Sequence, residues 1–206
     1  EGGARLRFVA TDSHRLSYAE IPLKGSWRLE KGVIIPRKGV LELRRLLDEA
    51  EGEVQLIFTE KQLFARREQV TLMIRLIDGQ FPPYQQVVPK DQPRLVAVNR
   101  EELSHALRRA QIVTTDRSRG VTFAVSSGHL KLTVNNPDIG EVEEELSIGY
   151  KGEALKWAVN GRYLSDVLAT VQDEQVILEL KNEVSPCVIR SEFDKGFLAV
   201  IMPMRV

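Results

Sequence analysis

Ile35-Pro36-Arg37-Lys38-Gly39-Val40-Leu41 opens a stretch of helical spacing, three short apolar segments follow, and Phe81-Pro82-Pro83-Tyr84 closes the series. Roughly 120 residues later Ala158-Val159-Asn160-Gly161-Arg162-Tyr163-Leu164 starts the same succession, which closes at Met202-Pro203-Met204. A helix and then three strands, occurring twice, predicts two copies of one α+β unit. Val88-Pro89-Lys90-Asp91-Gln92-Pro93 between them is polar and proline-punctuated, the composition of a linker. The expected domains are therefore residues 1–84 and 85–206, the first lacking its beginning.

Three segments carry helical spacing. The first is 39–50, with Val40, Leu43, Leu46 and Leu47 on one side; the second is 101–113, with Leu103, Ala106, Leu107 and Ala110. The third is 162–171, with Leu164, Val167, Leu168 and Val171. Asn99 and Asn160 stand where N-caps belong, because a short side-chain oxygen there accepts from free backbone N–H groups. Strand signals fall at 6–9, 54–58, 63–66, 70–77, 95–98, 121–125, 130–134, 144–148, 155–159, 176–180, 188–191 and 197–201. Leu130, Leu132 and Val134 alternate with Lys131 and Thr133, as a half-buried strand requires, and Ser126-Ser127-Gly128 before them reads as a hairpin loop.

The composition supports these elements. The 206 residues include 43% hydrophobic and 28% charged side chains, enough apolar material for a core and too much for a disordered chain. No run of 18 apolar residues occurs. Cys187 is the single cysteine, so no internal disulfide can form, which favours a reducing cytoplasm. The chain opens Glu1-Gly2-Gly3-Ala4, with no initiator Met and no apolar leader, and is strand-like by Leu6. A fragment beginning inside a domain is the expectation.

Familiar catalytic signatures are missing from the sequence. It contains no Gly-x-x-x-x-Gly-Lys-Ser/Thr, no Gly-x-Gly-x-x-Gly and no Gly-x-Ser-x-Gly. One Cys and three scattered His leave little for a zinc site. Asp138, Glu141, Glu143, Glu144 and Glu145 lack EF-hand spacing and read as a solvated or partner-facing acidic face. Thr11-Asp12-Ser13-His14-Arg15 gathers a hydroxyl, a carboxylate and an imidazole. A hydrolase using His14 with Asp12 or Ser13 is the enzymatic alternative. Chain neighbours rarely point at one another as a triad demands, and the plainer reading is a turn in which Asp12 and Ser13 bond local backbone. A sequence-reading DNA-binding protein would want an excess of positive charge, whereas 29 Lys+Arg balance 29 Asp+Glu.

Thr11-Asp12-Ser13-His14-Arg15-Leu16, Ile35-Pro36-Arg37-Lys38-Gly39 and Met202-Pro203-Met204-Arg205-Val206 form an ordered set. Asp78-Gly79-Gln80-Phe81-Pro82, Arg119-Gly120-Val121 and Asn135-Asn136-Pro137 take their places among them. In this order they resemble the bacterial sliding clamps, the beta subunits of DNA polymerase III, over the whole chain. The resemblance implies the DNA-clamp fold: repeated domains with antiparallel sheets outside and helices lining an inner face. It implies most of a middle domain and a complete C-terminal one. It also implies a non-catalytic processivity factor of the bacterial cytoplasm, associated with the nucleoid and needing no cofactor or metal.

The partners so implied are duplex DNA, bound without sequence preference, and a second subunit in a head-to-tail homodimeric ring. The polymerase catalytic subunit, the clamp loader and repair proteins would dock through short peptides carrying a Gln and apolar anchors. Position-matched resemblance gives that peptide groove Thr11, His14, Arg15, Leu16, Pro82 and Val87, with Asn160, Tyr163, Val184, Val200, Met202, Pro203, Met204 and Arg205. Arg37, Lys38 and Arg45 are expected to face DNA; Arg44 is expected nearer the seam of its helix, and Arg108 and Arg109 lie on the second helix. Ile112 falls opposite the apolar side of that helix. Together with Val113 it is expected to centre the subunit interface, flanked by Asp138, Glu141 and Glu144 seeking basic partners. The chain departs from the family at Ser13, often Gly, at Gln86, commonly basic, and at Pro186, commonly Ser, which bears on peptide preference.

Overall fold

The computed structural model describes residues 4–23, 29, 31–48, 52–115 and 119–205. In chain order its strands and helices are β1 (Arg5–Thr11), β2 (Arg15–Pro22), α1 (Arg37–Asp48), β3 (Gln55–Phe58), β4 (Gln62–Arg67) and β5 (Val70–Arg75). Then come β6 (Arg94–Asn99), α2 (Arg100–Ala110), β7 (Gly120–Ser126), β8 (His129–Asn136) and β9 (Gly140–Ser147). The last are β10 (Leu155–Asn160), α3 (Gly161–Leu168), β11 (Gln175–Leu180), β12 (Cys187–Ser191) and β13 (Phe197–Ile201). Short 3-10 turns occupy Tyr84–Gln86 and Gln111–Val113. The chain divides into two compact units, Glu1–Lys24 with Gln86–Val206, and Gly25–Gln85. No helix among the described residues is long and apolar enough to cross a membrane.

In the larger unit the order strand, helix, three strands occurs twice, as β6-α2-β7-β8-β9 and β10-α3-β11-β12-β13. Each copy lends its first strand to the other's sheet: β6 pairs with β11 and β10 with β7, all antiparallel. Asparagine makes each strand-to-helix change possible. Asn99 Oδ1 accepts from the backbone N–H of Glu101 at 3.0 Å and Glu102 at 3.1 Å, and Asn160 Oδ1 accepts from Arg162 N–H at 3.0 Å. These bonds satisfy donors that the first helical turn leaves free. On α2, Glu101 and Glu102 in the first turn and Arg108 and Arg109 in the last also oppose the helix dipole.

The apolar faces read from the sequence meet here. Leu103, Ala106, Leu107 and Ala110 of α2 and Leu164, Val167 and Leu168 of α3 are buried with Val121 and Phe123 of β7 and Leu130, Leu132 and Val134 of β8. The Phe123 and Trp157 rings stack with centroids 5.2 Å apart. Helix α2 stops at Ala110 and α3 at Leu168, short of the expected 113 and 171, although Val113 and Val171 remain buried.

Strand β2 was not foreseen. Its register places Leu16 opposite Val200 and Ala19 opposite Phe197, so the β1–β2 hairpin extends a six-stranded sheet ordered β1-β2-β13-β12-β11-β6. At the far end of this seam Glu20 N–H donates to the Gly196 carbonyl at 2.9 Å. The backbones come so close that a Cβ on Gly196 would lie 2.1 Å from the Glu20 carbonyl oxygen. Glu20 itself accepts from the Tyr18 hydroxyl, Arg5 Nη1 and Arg7 Nε, each at 2.7 Å. These donors, Tyr18 foremost and then the two arginines, depress its pKa from 4.5 to about 2.

The smaller unit packs α1 against the antiparallel meander β3-β4-β5, with Leu43, Leu46, Leu63, Ala65 and Ile74 at its centre. Gly39 is required at the contact, because a Cβ there would stand 2.5 Å from Ile74 Cγ2. Buried Arg67 donates through Nη1 to the Leu46 carbonyl at 2.8 Å and the Leu47 carbonyl at 3.2 Å, satisfying acceptors at the end of α1. Val40 and Leu47, expected on the buried side, are exposed, since the contact strip is only as wide as Gly39, Leu43 and Leu46. Positions 49 and 50 of the expected helix lie outside the described residues.

Gly196→Ala forces the β2–β13 seam apart and should lower unfolding free energy by about 1–3 kcal/mol, measured by urea denaturation against wild type. A depressed carboxylate stabilises above its unfolded pKa, so the contribution of Glu20 is complete above pH 4.5 and lost as pH falls towards 2. Thermal melts of Glu20→Gln should accordingly lose part of the decline that wild type shows between those two values.

Candidate functional site

The turn between β1 and β2 is built by its own side chains. Thr11 Oγ1 donates to the Arg15 carbonyl at 2.8 Å, and Asp12 Oδ1 accepts from the backbone N–H of His14 at 3.1 Å and of Arg15 at 3.0 Å. Asp12 Oδ2 accepts from Arg15 Nε at 3.1 Å. Partial burial works against the Asp12 charge, but these donors, led by the Arg15 side chain, outweigh it and hold the carboxyl below its ordinary value. Ser13 sits at φ 71°, in the left-handed region, with its N–H 3.4 Å from Thr11 Oγ1. The hydrolase alternative finds no support in Asp12. Asp12 is spent on main-chain N–H groups and Arg15, and it bonds the backbone of His14 where a triad would need it on the imidazole.

Arg15 carries the turn across to helix α3. Its Nη1 donates to Asp166 Oδ2 at 2.6 Å, and its guanidinium lies over the Tyr163 ring, 4.3 Å from the centroid. Desolvation opposes the Arg15 charge, but hydrogen bonds to Asp166 and then Asp12 raise its pKa further. The His14 ring lies 6.4 Å from Tyr163 at an interplanar angle of 24°. From the other side the C-terminal segment closes in: Met202 N–H donates to the His14 carbonyl at 2.9 Å, and Met204 N–H to the Ala158 carbonyl at 2.8 Å. Val159 and Pro203 form an isolated bridge.

Thr11, His14, Arg15, Leu16, Asn160, Tyr163, Val200, Met202, Pro203 and Met204 are thus brought onto adjoining segments of one unit. Leu16 and Val200 are paired and buried beneath the surface, while His14 and Met202 are exposed and Tyr163, Pro203 and Met204 half-buried. Asn160 is buried and its oxygen is engaged in capping α3. Val87, Val184 and Arg205 are exposed in loops or at the tail. Pro82 belongs to the other compact unit, and Val206 lies outside the described residues. Sequence reasoning missed Asp166, whose only signal was its place three residues after Tyr163 on a helix, where the two side chains share a face. No cluster of three metal-ligating side chains occurs among the described residues.

The remaining candidates distribute less simply. Arg37 and Lys38 are exposed in the first turn of α1, and Arg45 pairs with Glu42 at 3.0 Å. Arg44, expected nearer the seam, is as exposed as Arg45 and pairs with Asp48 at 3.3 Å. Ile112 is 75% exposed, but Val113, seven residues after buried Ala106, is 8% exposed and belongs to the core. Glu144, expected to seek an outside cation, is already held by Arg109 through two 2.6 Å bonds, and these keep its carboxyl below the ordinary value. Asp138 and Glu141 are exposed, and β9 forms an edge of its four-stranded sheet.

Two family models match: the DNA polymerase III beta subunit central domain over residues 2–83 and its C-terminal domain over residues 85–205. The chain belongs to the DNA polymerase III beta subunit family. It is 37% identical over 204 residues to the beta sliding clamp of Pseudomonas aeruginosa, covering 99% of this chain and 56% of that protein. It is 35% identical over 207 residues to the beta sliding clamp of Caulobacter vibrioides, covering 100% and 56%. Among solved structures, a Pseudomonas aeruginosa DNA polymerase sliding clamp with ligand superposes at TM-score 0.94 and 36% identity, covering 100% of this chain and 56% of that one. A Bartonella birtlesii clamp bound to griselimycin gives 0.93 and 38%, covering 98% and 55%. The chain spans about half the length of the relatives it matches.

In this beta-subunit chain the turn at Ser13 makes a sharp prediction. Gly adopts φ 71° freely, whereas a β-branched residue resists it. Ser13→Val should cost about 1–2 kcal/mol in chemical denaturation, and Ser13→Gly should cost nothing. Equal stability of the two variants would contradict the assigned turn.

Proposed function

We propose that the chain forms the peptide-capturing part of a DNA polymerase processivity clamp, with residues 1–84 as middle domain and 85–206 as C-terminal domain. One observation carries the reading: the 11–15 turn, the Tyr163 face of α3 and the Met202–Met204 segment converge at the end of the β2–β13 seam. Apolar anchors entering a preformed groove, with a few polar groups setting register, are how a short segment gains affinity. Methionines suit a surface shared among clients, because the unbranched thioether adapts its shape at small cost. The griselimycin-bound Bartonella birtlesii clamp supports a ligand-accepting groove in this fold. Val87, Val184 and Arg205 complete the proposed groove. Its occupants are short linear peptides of the replicative polymerase, clamp loader and repair proteins.

The groove binds and performs no chemistry, in keeping with relatives named as sliding clamps. The full protein acts as a head-to-tail homodimeric ring around duplex DNA in the bacterial cytoplasm. Arg37, Lys38 and Arg45 face the phosphates, and exposed Ile112, Asp138 and Glu141 meet the neighbouring subunit. A chain of zero net charge suits a sliding contact, which needs a few weak phosphate interactions and no base readout.

Fluorescence polarisation with a labelled Gln-Leu-Ser-Leu-Phe peptide tests the groove. Saturable micromolar binding, weakened about tenfold by either His14→Ala or Met204→Ala, is expected. Absence of saturable binding by a chain that circular dichroism shows to be folded would overturn the reading.

A further inference from the structure

Asp166 stands outside every motif in the sequence, yet it closes the link between the hairpin and helix α3. Arg15 would otherwise answer only to its own turn, since Asp12 Oδ2 accepts from its Nε at 3.1 Å. That bond is local, three residues apart, and ties the guanidinium to its own turn. The Asp166 carboxylate pulls from the other end, taking Nη1 at 2.6 Å across 151 positions of sequence. Stretched between two carboxylates, the guanidinium lies over Tyr163, 4.3 Å from the ring centroid. Tyr163 and Asp166 are i and i+3 on one helix, so the carboxylate and the ring present the same face to Arg15. His14, the residue before Arg15, stands 6.4 Å from the same ring at 24°, and its carbonyl holds Met202 N–H. The pair is half-exposed, with side chains 32% and 51% accessible. A pair so placed adds little to fold stability, so its geometric effect matters more than its energy.

We infer that Asp166 is a positioning residue for peptide capture, acting through Arg15 to hold Tyr163 and the 11–15 turn in the orientation that receives the ligand. The inference rests on the groove reading above. The carboxylate need not touch the peptide. It fixes where the guanidinium lies, the guanidinium fixes the ring, and a wall set before binding spares the peptide the cost of ordering it.

The test uses the whole 206-residue chain and the labelled Gln-Leu-Ser-Leu-Phe peptide. Asp166→Asn keeps the size and the acceptor oxygen but removes the charge, and should weaken binding about fivefold with an unchanged thermal midpoint. Asp166→Glu keeps the charge and should restore most of the affinity. In an Arg15→Gln background, Asp166→Asn should have no further effect, because its route is already cut. Wild-type affinity in Asp166→Asn overturns the inference alone, as does full additivity with Arg15→Gln or a loss of fold in Asp166→Asn. Failure of the wild-type chain to bind the peptide overturns the groove reading and this inference with it.

Discussion

The antiparallel seam between β2 and β13 is the constraint on which the candidate site depends. Leu16 and Val200 are paired and almost wholly buried there, and Leu16 directly follows the 11–15 turn. The register therefore decides where that turn emerges. Strand pairing has period two, so a slip of one residue would turn Leu16 outward and carry His14 and Arg15 away from Tyr163. Gly196 guards the other end, since only a residue without Cβ permits the approach to the Glu20 carbonyl. The candidate site, assembled from segments far apart in sequence, is in this way fixed by backbone hydrogen bonds before any side chain adds to it.

On that frame the polar groups are allocated to structure. Asp12 shapes its own turn, Asn160 caps α3, and Arg15 is stretched between two carboxylates. None of these is left aimed at a bond to be broken, whereas a catalytic site needs a base with free capacity beside its nucleophile. Exposed His14 and Met202 and half-buried Tyr163 and Met204 remain as surface. A rigid polar frame bearing an adaptable apolar surface suits the recognition of short segments proposed for it.

Much of the fold was legible because local physics agrees with the global arrangement. The helix-plus-three-strands repeat, the alternation at Leu130, Leu132 and Val134, and the caps Asn99 and Asn160 all reappear where the periodicities put them. Strand β2 was missed because Leu16, Tyr18 and Glu20 on one face and Ser17, Ala19 and Ile21 on the other mix apolar and polar residues, leaving no period-two signal. Val113 was misplaced because the resemblance paired it with Ile112, whereas seven residues after Ala106 it falls on the buried side and joins the core. The internal pairing of Glu144, and Asp166 altogether, went unseen for a different reason. Their partners, Arg109 and Arg15, are 35 and 151 positions away, and no local pattern encodes such a pair.

Those long-range pairs also explain how a chain with 29 charges of each sign can present a differentiated surface. Arg5 and Arg7 are drawn onto Glu20, Lys131 onto Glu143, Arg109 onto Glu144 and Arg190 onto Glu179. Four of these five contacts tie neighbouring strands and one ties helix α2 to β9, so most of this charge is neutralised where sheets need bracing. At the first turn of α1 the balance differs, because Arg37 and Lys38 stand exposed one after the other. Net charge is therefore a poor guide to what such a chain can meet. What matters is which charges the fold has already matched, and that is decided largely by strand register, the same feature that places the candidate site.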